Sequence, residues 1–129
     1  MLAHRPEEAR GSVASRLAES GLKPEHVWRT LEDGGDTLYA AATSGEPDWA
    51  NRFGGLLAAA LLAAEVSALA AHLNSRASNV RALAVNALLD DFSAITVAAR
   101  LGVSRQKVYE VSRGGHADKF IDHAPWRQP

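Results

Sequence analysis

The stretch ITVAARLGVSRQKVY, residues 95–109, places polar and basic side chains directly after an apolar half-helix. Residues 94–101 are predicted to form one short helix, and residues 105–112 a second. Gly102 breaks the pattern between them, because glycine readily adopts the left-handed conformation that ends many helices. The stretch therefore predicts two short helices joined by a turn that contains a glycine.

Serines precede both of these helices. Ser93 and Ser104 are good N-caps, since a serine hydroxyl accepts a hydrogen bond from an otherwise unsatisfied N–H of the first turn. Upstream, apolar residues over 80–88 recur at i, i+3, i+4, i+7 and i+8, which is typical of an amphipathic helix. Asp90 and Asp91 are expected to end that helix or to lie in the following turn.

This arrangement resembles the DNA-binding helix-turn-helix. That family needs a small residue where the second helix crosses the first and a turn residue that tolerates positive φ, and this sequence has Ala98 and Gly102 there. The remaining core positions of the motif should be apolar, and they are Val97, Leu101, Val103, Val108 and Val111. GVSRQKVY is also similar to the common bacterial form GVSRxxVY. Residues 78–115 as a whole resemble the three-helix motif of resolvase-like and homeodomain-like bacterial regulators.

The resemblance implies that the second helix enters the major groove of double-stranded DNA. Arg105 suits guanine O6 and N7, and Gln106 suits adenine N6 and N7. Glu110 either accepts from a cytosine amino group or pairs with a neighbouring base, and an ion pair with Lys107 or Arg113 is the preferred interpretation. The predicted DNA-binding residues are Ser104, Arg105, Gln106, Lys107, Tyr109, Arg113 and Arg100. For Lys107 and Arg100, a purely solvated position is an almost equal alternative to phosphate contact.

Charge is distributed unevenly along the 129 residues. The net charge is −1, but residues 1–50 hold nine acidic against five basic residues, whereas residues 100–119 hold five basic against two acidic ones. One end is therefore expected to repel phosphate and the other to attract it. The sequence contains no cysteine, and its first ten residues lack a secretory pattern, so a cytoplasmic, nucleoid-associated protein is expected.

The N-terminal half is predicted to be helical. In the region 1–46, one helix should begin after Pro6 and another at Pro24, with Asp36 capping a third, short one. The apolar face of the second helix is predicted to consist of Val27, Trp28 and Leu31. No alternating β-branched run is present, so the fold class is predicted to be all-α.

An alanine- and leucine-rich helix is predicted within residues 47–77, starting at Pro47. Between it and the helix over 80–88, a weak break at Asn74-Ser75 and no break at all are both open alternatives. Its apolar stretch, residues 53–73, has the length of a membrane span, but Glu65 would then lie near the bilayer centre, so no membrane partner is expected. The spacing of Leu62, Val66, Leu69 and Leu73 is that of a helix–helix seam. Two interpretations stay open: an internal core helix and a homodimer interface. Residues 116–129 are assigned to a C-terminal tail.

No enzyme, cofactor or metal site is predicted. The five histidines are scattered without ligand spacing, and the Gly-Gly pairs follow no strand. The favoured function is a sequence-specific DNA-binding protein, a homodimeric transcriptional regulator of bacterial type. One alternative is a DNA-packaging, partition or recombination adaptor with the same motif. The other is a protein-interaction module without DNA binding, whose acidic N-terminal region contacts a partner.

Overall fold

The computed structural model describes residues 1–114 and 123–126, and the secondary structure in this part of the chain is helical throughout. The predicted all-α fold class is confirmed. The described residues form six α-helices, which are α1 (Glu7–Glu19), α2 (Pro24–Glu32), α3 (Asp36–Ala42), α4 (Leu56–Asp91), α5 (Ala94–Leu101) and α6 (Arg105–Arg113). The chain forms two compact units, with the boundary after His72 inside α4. The tail expected at 116–129 falls mostly outside the described residues.

The N-terminal unit contains residues 1–72 and the described residues 123–126. Its core consists of Leu2, Val13, Leu17, Leu22, Val27, Leu31, Leu38, Ala50, Ala58, Ala59, Leu62 and Leu69. As predicted, α1 begins after Pro6 and α2 at Pro24. The prediction for Trp28 is wrong, because its side chain is 39% exposed. Val27 and Leu31 lie four residues apart and bury one face of α2, and Trp28 is rotated away from that face.

The turn before α3 is held by Asp33 rather than by Asp36. The Asp33 carboxylate accepts hydrogen bonds from the N–H groups of Gly35 (2.8 Å) and Thr37 (3.2 Å), while Asp36 is the first residue of the helix. Burial by itself raises the pKa of Asp33, but the hydrogen bonds from Thr37 and its neighbours bring that pKa below its ordinary value. The expected cap at Asp36 is therefore replaced by a carboxylate three residues earlier.

Helix α4 begins later than predicted, and of the two alternatives at Asn74 and Ser75 the one without a break is correct. It starts at Leu56 instead of Pro47, because Gly54 and Gly55 adopt left-handed φ angles of +106° and +107° that exclude an α-helix. It then runs without a break to Asp91, so the predicted division between residues 77 and 78 falls within one continuous helix.

The alanine- and leucine-rich part of α4 is an internal core helix, and its most buried side chains pack in the N-terminal unit. Leu62 is 1% exposed and Leu69 is 4% exposed, and both belong to the core of the N-terminal unit. Val66 packs against the same core, next to Gly35. Leu73, the fourth position of the predicted seam, is 37% exposed and does not join it.

Glu65, the charged residue within this apolar stretch, is buried in a polar cluster. His4 donates from Nε2 to Glu65 Oε1 at 2.9 Å, and Arg5 donates to both carboxylate oxygens at 3.1 and 2.6 Å. Burial raises the pKa of Glu65, but the hydrogen bonds from His4 and Arg5 and the charge of Arg5 outweigh burial, so the net pKa lies below its ordinary value. By length and composition, α4 resembles a membrane span, as many core helices do. The ion pairs of Glu65 are compatible with a core helix, because a buried charge needs partners inside the protein.

The C-terminal unit has a separate small core within its described residues, 73–114. Its members are Ala82 and Val85 of α4, Val97 and Ala98 of α5, and Val108 and Val111 of α6, with Leu89 and Ala94 packed against them. In addition, Asn86 donates a side-chain hydrogen bond to the carbonyl of Ser112 at 2.9 Å.

Two predicted core residues of the motif are not buried. Leu101 is 45% exposed and Val103 is 39% exposed. Both lie where α5 ends and the chain turns, whereas α6 supplies its buried side chains, Val108 and Val111, only after its first turn. The apolar pattern therefore predicts the helix pair, whereas the predicted burial of Leu101 and Val103 is wrong.

Candidate nucleic-acid interface

The two helices of the motif are capped as the sequence predicts. Ser93 Oγ accepts a hydrogen bond from the N–H of Thr96 at 3.2 Å, and Ser104 Oγ accepts one from the N–H of Lys107 at 3.0 Å. Each bond satisfies an N–H in the first turn, where the helix itself provides no acceptor. The starting points of α5 and α6 are therefore determined locally.

The turn between α5 and α6 is built on Gly102. Its φ of +70° and ψ of +31° lie in the left-handed region, as predicted. The N–H groups of Gly102 and Val103 both donate to the carbonyl of Ala98, which closes the C-terminus of α5. The Ala98 side chain is 7% exposed and packs in the core with Val108. A small residue at this position leaves room for α6.

Replacing Gly102 with valine is expected to destabilise the C-terminal unit by about 1–2 kcal/mol, because a β-branched residue is strained at positive φ. A Cβ at this position would meet no atom within 4 Å, so the cost is conformational rather than steric. Denaturant unfolding measures the loss of stability, and hydrogen exchange of the α5 and α6 amides locates it in the C-terminal unit. Gly102→Asn is the matched control, because asparagine tolerates this conformation and should cost clearly less. Equal stability of the valine variant and the wild type would contradict the assigned turn.

All of the predicted DNA-binding residues are exposed. These are Arg100 in α5, Ser104 in the turn, and Arg105, Gln106, Lys107, Tyr109 and Arg113 in α6. Gln106 and Arg113 are seven residues apart and therefore lie on one face of α6. That face is opposite the buried Val108 and Val111. The helix therefore presents a continuous polar surface to solvent.

Glu110 lies on this same outer face, four residues after Gln106. The expected ion pair with Lys107 or Arg113 is not formed; within the described residues, Gln106 Nε2 donates to Glu110 Oε1 in a long contact of 3.5 Å. The i, i+4 spacing of Gln106 and Glu110 brings these two side chains together. One carboxylate therefore lies among the basic side chains of the surface.

The charge of this unit favours a polyanionic partner. Residues 73–114 hold six basic against three acidic residues, and Arg100, Arg105, Lys107 and Arg113 all belong to α5 and α6. Residues 1–72, by contrast, hold ten acidic against six basic residues. Phosphate is therefore attracted more strongly to the motif than to the N-terminal unit.

The N-terminal unit has an open cleft of about 490 Å³. Leu22, Leu38 and Leu62 lie at its apolar wall. Its polar lining includes His26, Arg29, Thr30, Asp33 and Arg52. The Asp33 carboxylate holds the turn before α3, and His26 Nδ1 accepts a hydrogen bond from the N–H of Lys23. The described residues contain no group of histidines and carboxylates arranged for a metal ion.

Comparisons of the chain with protein-family models, with curated proteins and with solved structures find no match. The similarity to the helix-turn-helix therefore depends on the residues and geometry of this chain alone.

Proposed function

We propose that the protein binds double-stranded DNA through α6 and acts as a transcriptional regulator of bacterial type. The observation that supports this most strongly is the Gly102 turn, which joins two serine-capped helices, the second with an exposed, basic outer surface. A helix of this kind fits the major groove, whose base edges carry a distinct hydrogen-bonding pattern for each base pair.

The proposed roles follow from position and side-chain chemistry. Arg105 and Gln106 occupy the first turn of α6, the part of a recognition helix that most often contacts bases. The remaining exposed residues, Ser104, Lys107, Tyr109, Arg113 and Arg100, serve as phosphate contacts that hold the helix in place. The Glu110 carboxylate limits binding to unrelated sequences by repelling phosphate.

A homodimer is part of this proposal. A single motif reads only a few base pairs, so specific binding in the cell usually requires two half-sites about one helical turn apart. Within residues 73–114, the C-terminal unit has a small core and a single helix of the proposed recognition type. Two copies would double both the phosphate contacts and the number of bases that are read.

Arg105→Ala and Gln106→Ala should each weaken binding to the specific site by about 1–3 kcal/mol and relax the base preference there. The specific site is first found by selecting bound sequences from a random DNA library. Fluorescence anisotropy then measures affinity for that site and for unrelated DNA. Lys107→Ala is the matched control: it should weaken binding to both DNAs alike and reduce the salt dependence, because it removes a phosphate contact.

The outcomes of this experiment are distinct. Unchanged specific affinity in both the Arg105 and Gln106 variants would remove these residues from the base-reading surface. Absence of DNA affinity in the wild type at low salt would contradict the proposed function and favour a protein-interaction module. Circular dichroism of each variant should match the wild type, since both side chains lie outside the core.

A further inference from the structure

The C-terminal half of α4 carries an apolar surface that its own unit does not cover. On one side of this segment, Ala82 and Val85 pack against α5 and α6. On another side, Val80 is 66% exposed and Leu83 is 61% exposed. We refer to the exposed residues Val80, Leu83, Ala84 and Ala87 as the α4 stripe. Large aliphatic side chains that are exposed together in this way mark an interaction surface.

The α4 stripe has the spacing of a helix–helix contact. Its positions correspond to i, i+3, i+4 and i+7, so they stay on one side of the helix over two turns. Large and small side chains both occur: Val80 and Leu83 project, whereas Ala84 and Ala87 leave room for a partner's side chains. Such a surface fits a second helix of complementary shape.

Charged residues at the two ends of the stripe indicate which helix this is. Arg76 lies one turn before Val80, and Asp91 lies one turn after Ala87, on the same side of α4. Within the described residues, neither Arg76 nor Asp91 takes part in an ion pair. A second copy in parallel orientation would place Arg76 against Arg76 and Asp91 against Asp91. An antiparallel copy instead brings Arg76 of each chain to Asp91 of the other.

We propose that the α4 stripe is an antiparallel homodimer interface. In this register Val80 packs against Ala87 of the second copy and Leu83 against Ala84, so that each large side chain meets a small one. Each contact occurs twice about the twofold axis, as a self-complementary interface requires. The inference deepens the proposed function and rests on it only for the use of the dimer in reading two half-sites.

Sedimentation of the full chain without DNA tests the interface. The sedimentation mass of the wild type should be twice the 13.7 kDa of one chain. The mass of Leu83→Glu should be 13.7 kDa, with unchanged helicity. A strictly monomeric wild type overturns the proposal. So does a dimer that Leu83→Glu leaves intact. A monomer that instead binds to lipid vesicles also overturns it and assigns the stripe to a membrane surface.

Charge reversal tests the antiparallel orientation. Arg76→Asp places a carboxylate opposite Asp91 and should raise the dimer dissociation constant roughly tenfold or more. Adding Asp91→Arg to the same chain restores both ion pairs and should restore the dimer. Arg81→Asp is the matched control, because Arg81 lies on a different side of α4 and its reversal should leave the dimer intact. Failure of the double variant to recover overturns the antiparallel register, whether or not the protein binds DNA.

Discussion

The Val108→Asp variant is expected to lose the folded C-terminal unit and, with it, the proposed DNA binding. Val108 is 0% exposed and is packed among Val85, Val97 and Ala98. An unpaired carboxylate at such a position costs more than about 4 kcal/mol. Because residues 73–114 form only a small core, the unit has little stability to lose before it unfolds.

Hydrogen exchange measures this effect directly. Amide protection in α5 and α6 should disappear in Val108→Asp, while the amides of α1 and α2 stay protected, because they belong to the other unit. Ile95→Asp is the matched control in the same unit. Ile95 is 66% exposed and lies in the first turn of α5, where a carboxylate is favourable. Retained protection at α6 in Val108→Asp would show that Val108 is not a core residue.

The Glu65→Ala variant is expected to destabilise the N-terminal unit by about 3 kcal/mol. The substitution removes the partner of His4, which is 1% exposed, and of Arg5. Breaking a buried ion pair typically costs 3–5 kcal/mol. The lower figure applies here because the Arg5 side chain remains 24% exposed to solvent. Denaturant unfolding gives the change, and Glu8→Ala, in the exposed first turn of α1, should cost less than about 1 kcal/mol.

The contribution of Glu65 should depend on pH. Its pKa in the folded protein lies below the ordinary value of 4.5, so its contribution is complete above pH 4.5 and is lost as the pH falls through the folded pKa. Glu65→Gln keeps the shape of the side chain but has no charge to titrate. The stability difference between the wild type and Glu65→Gln should therefore shrink as the solution is acidified below pH 4.5. A difference that stays constant to low pH would mean that the carboxylate charge contributes nothing.

Local signals in the sequence determined the geometry of the candidate interface. Ser93 defines where α5 begins, Gly102 where it ends and Ser104 where α6 begins, because capping and positive φ depend on a residue and its nearest neighbours. The exposed positions of Arg105 and Gln106 follow from helical periodicity once these ends are known. The resemblance to the helix-turn-helix is carried by the same few residues.

The tertiary structure alone decided which apolar residues are buried and how Glu65 is accommodated. A lone carboxylate in an apolar helix signals a partner, but nothing local identifies His4 and Arg5, about sixty residues earlier in the chain. Leu101 has the same hydrophobic character as Leu62, yet it stays 45% exposed, because burial requires a neighbour from elsewhere in the fold. Periodicity assigns a side chain to a face of a helix. Only long-range packing determines whether that face meets the core or the solvent.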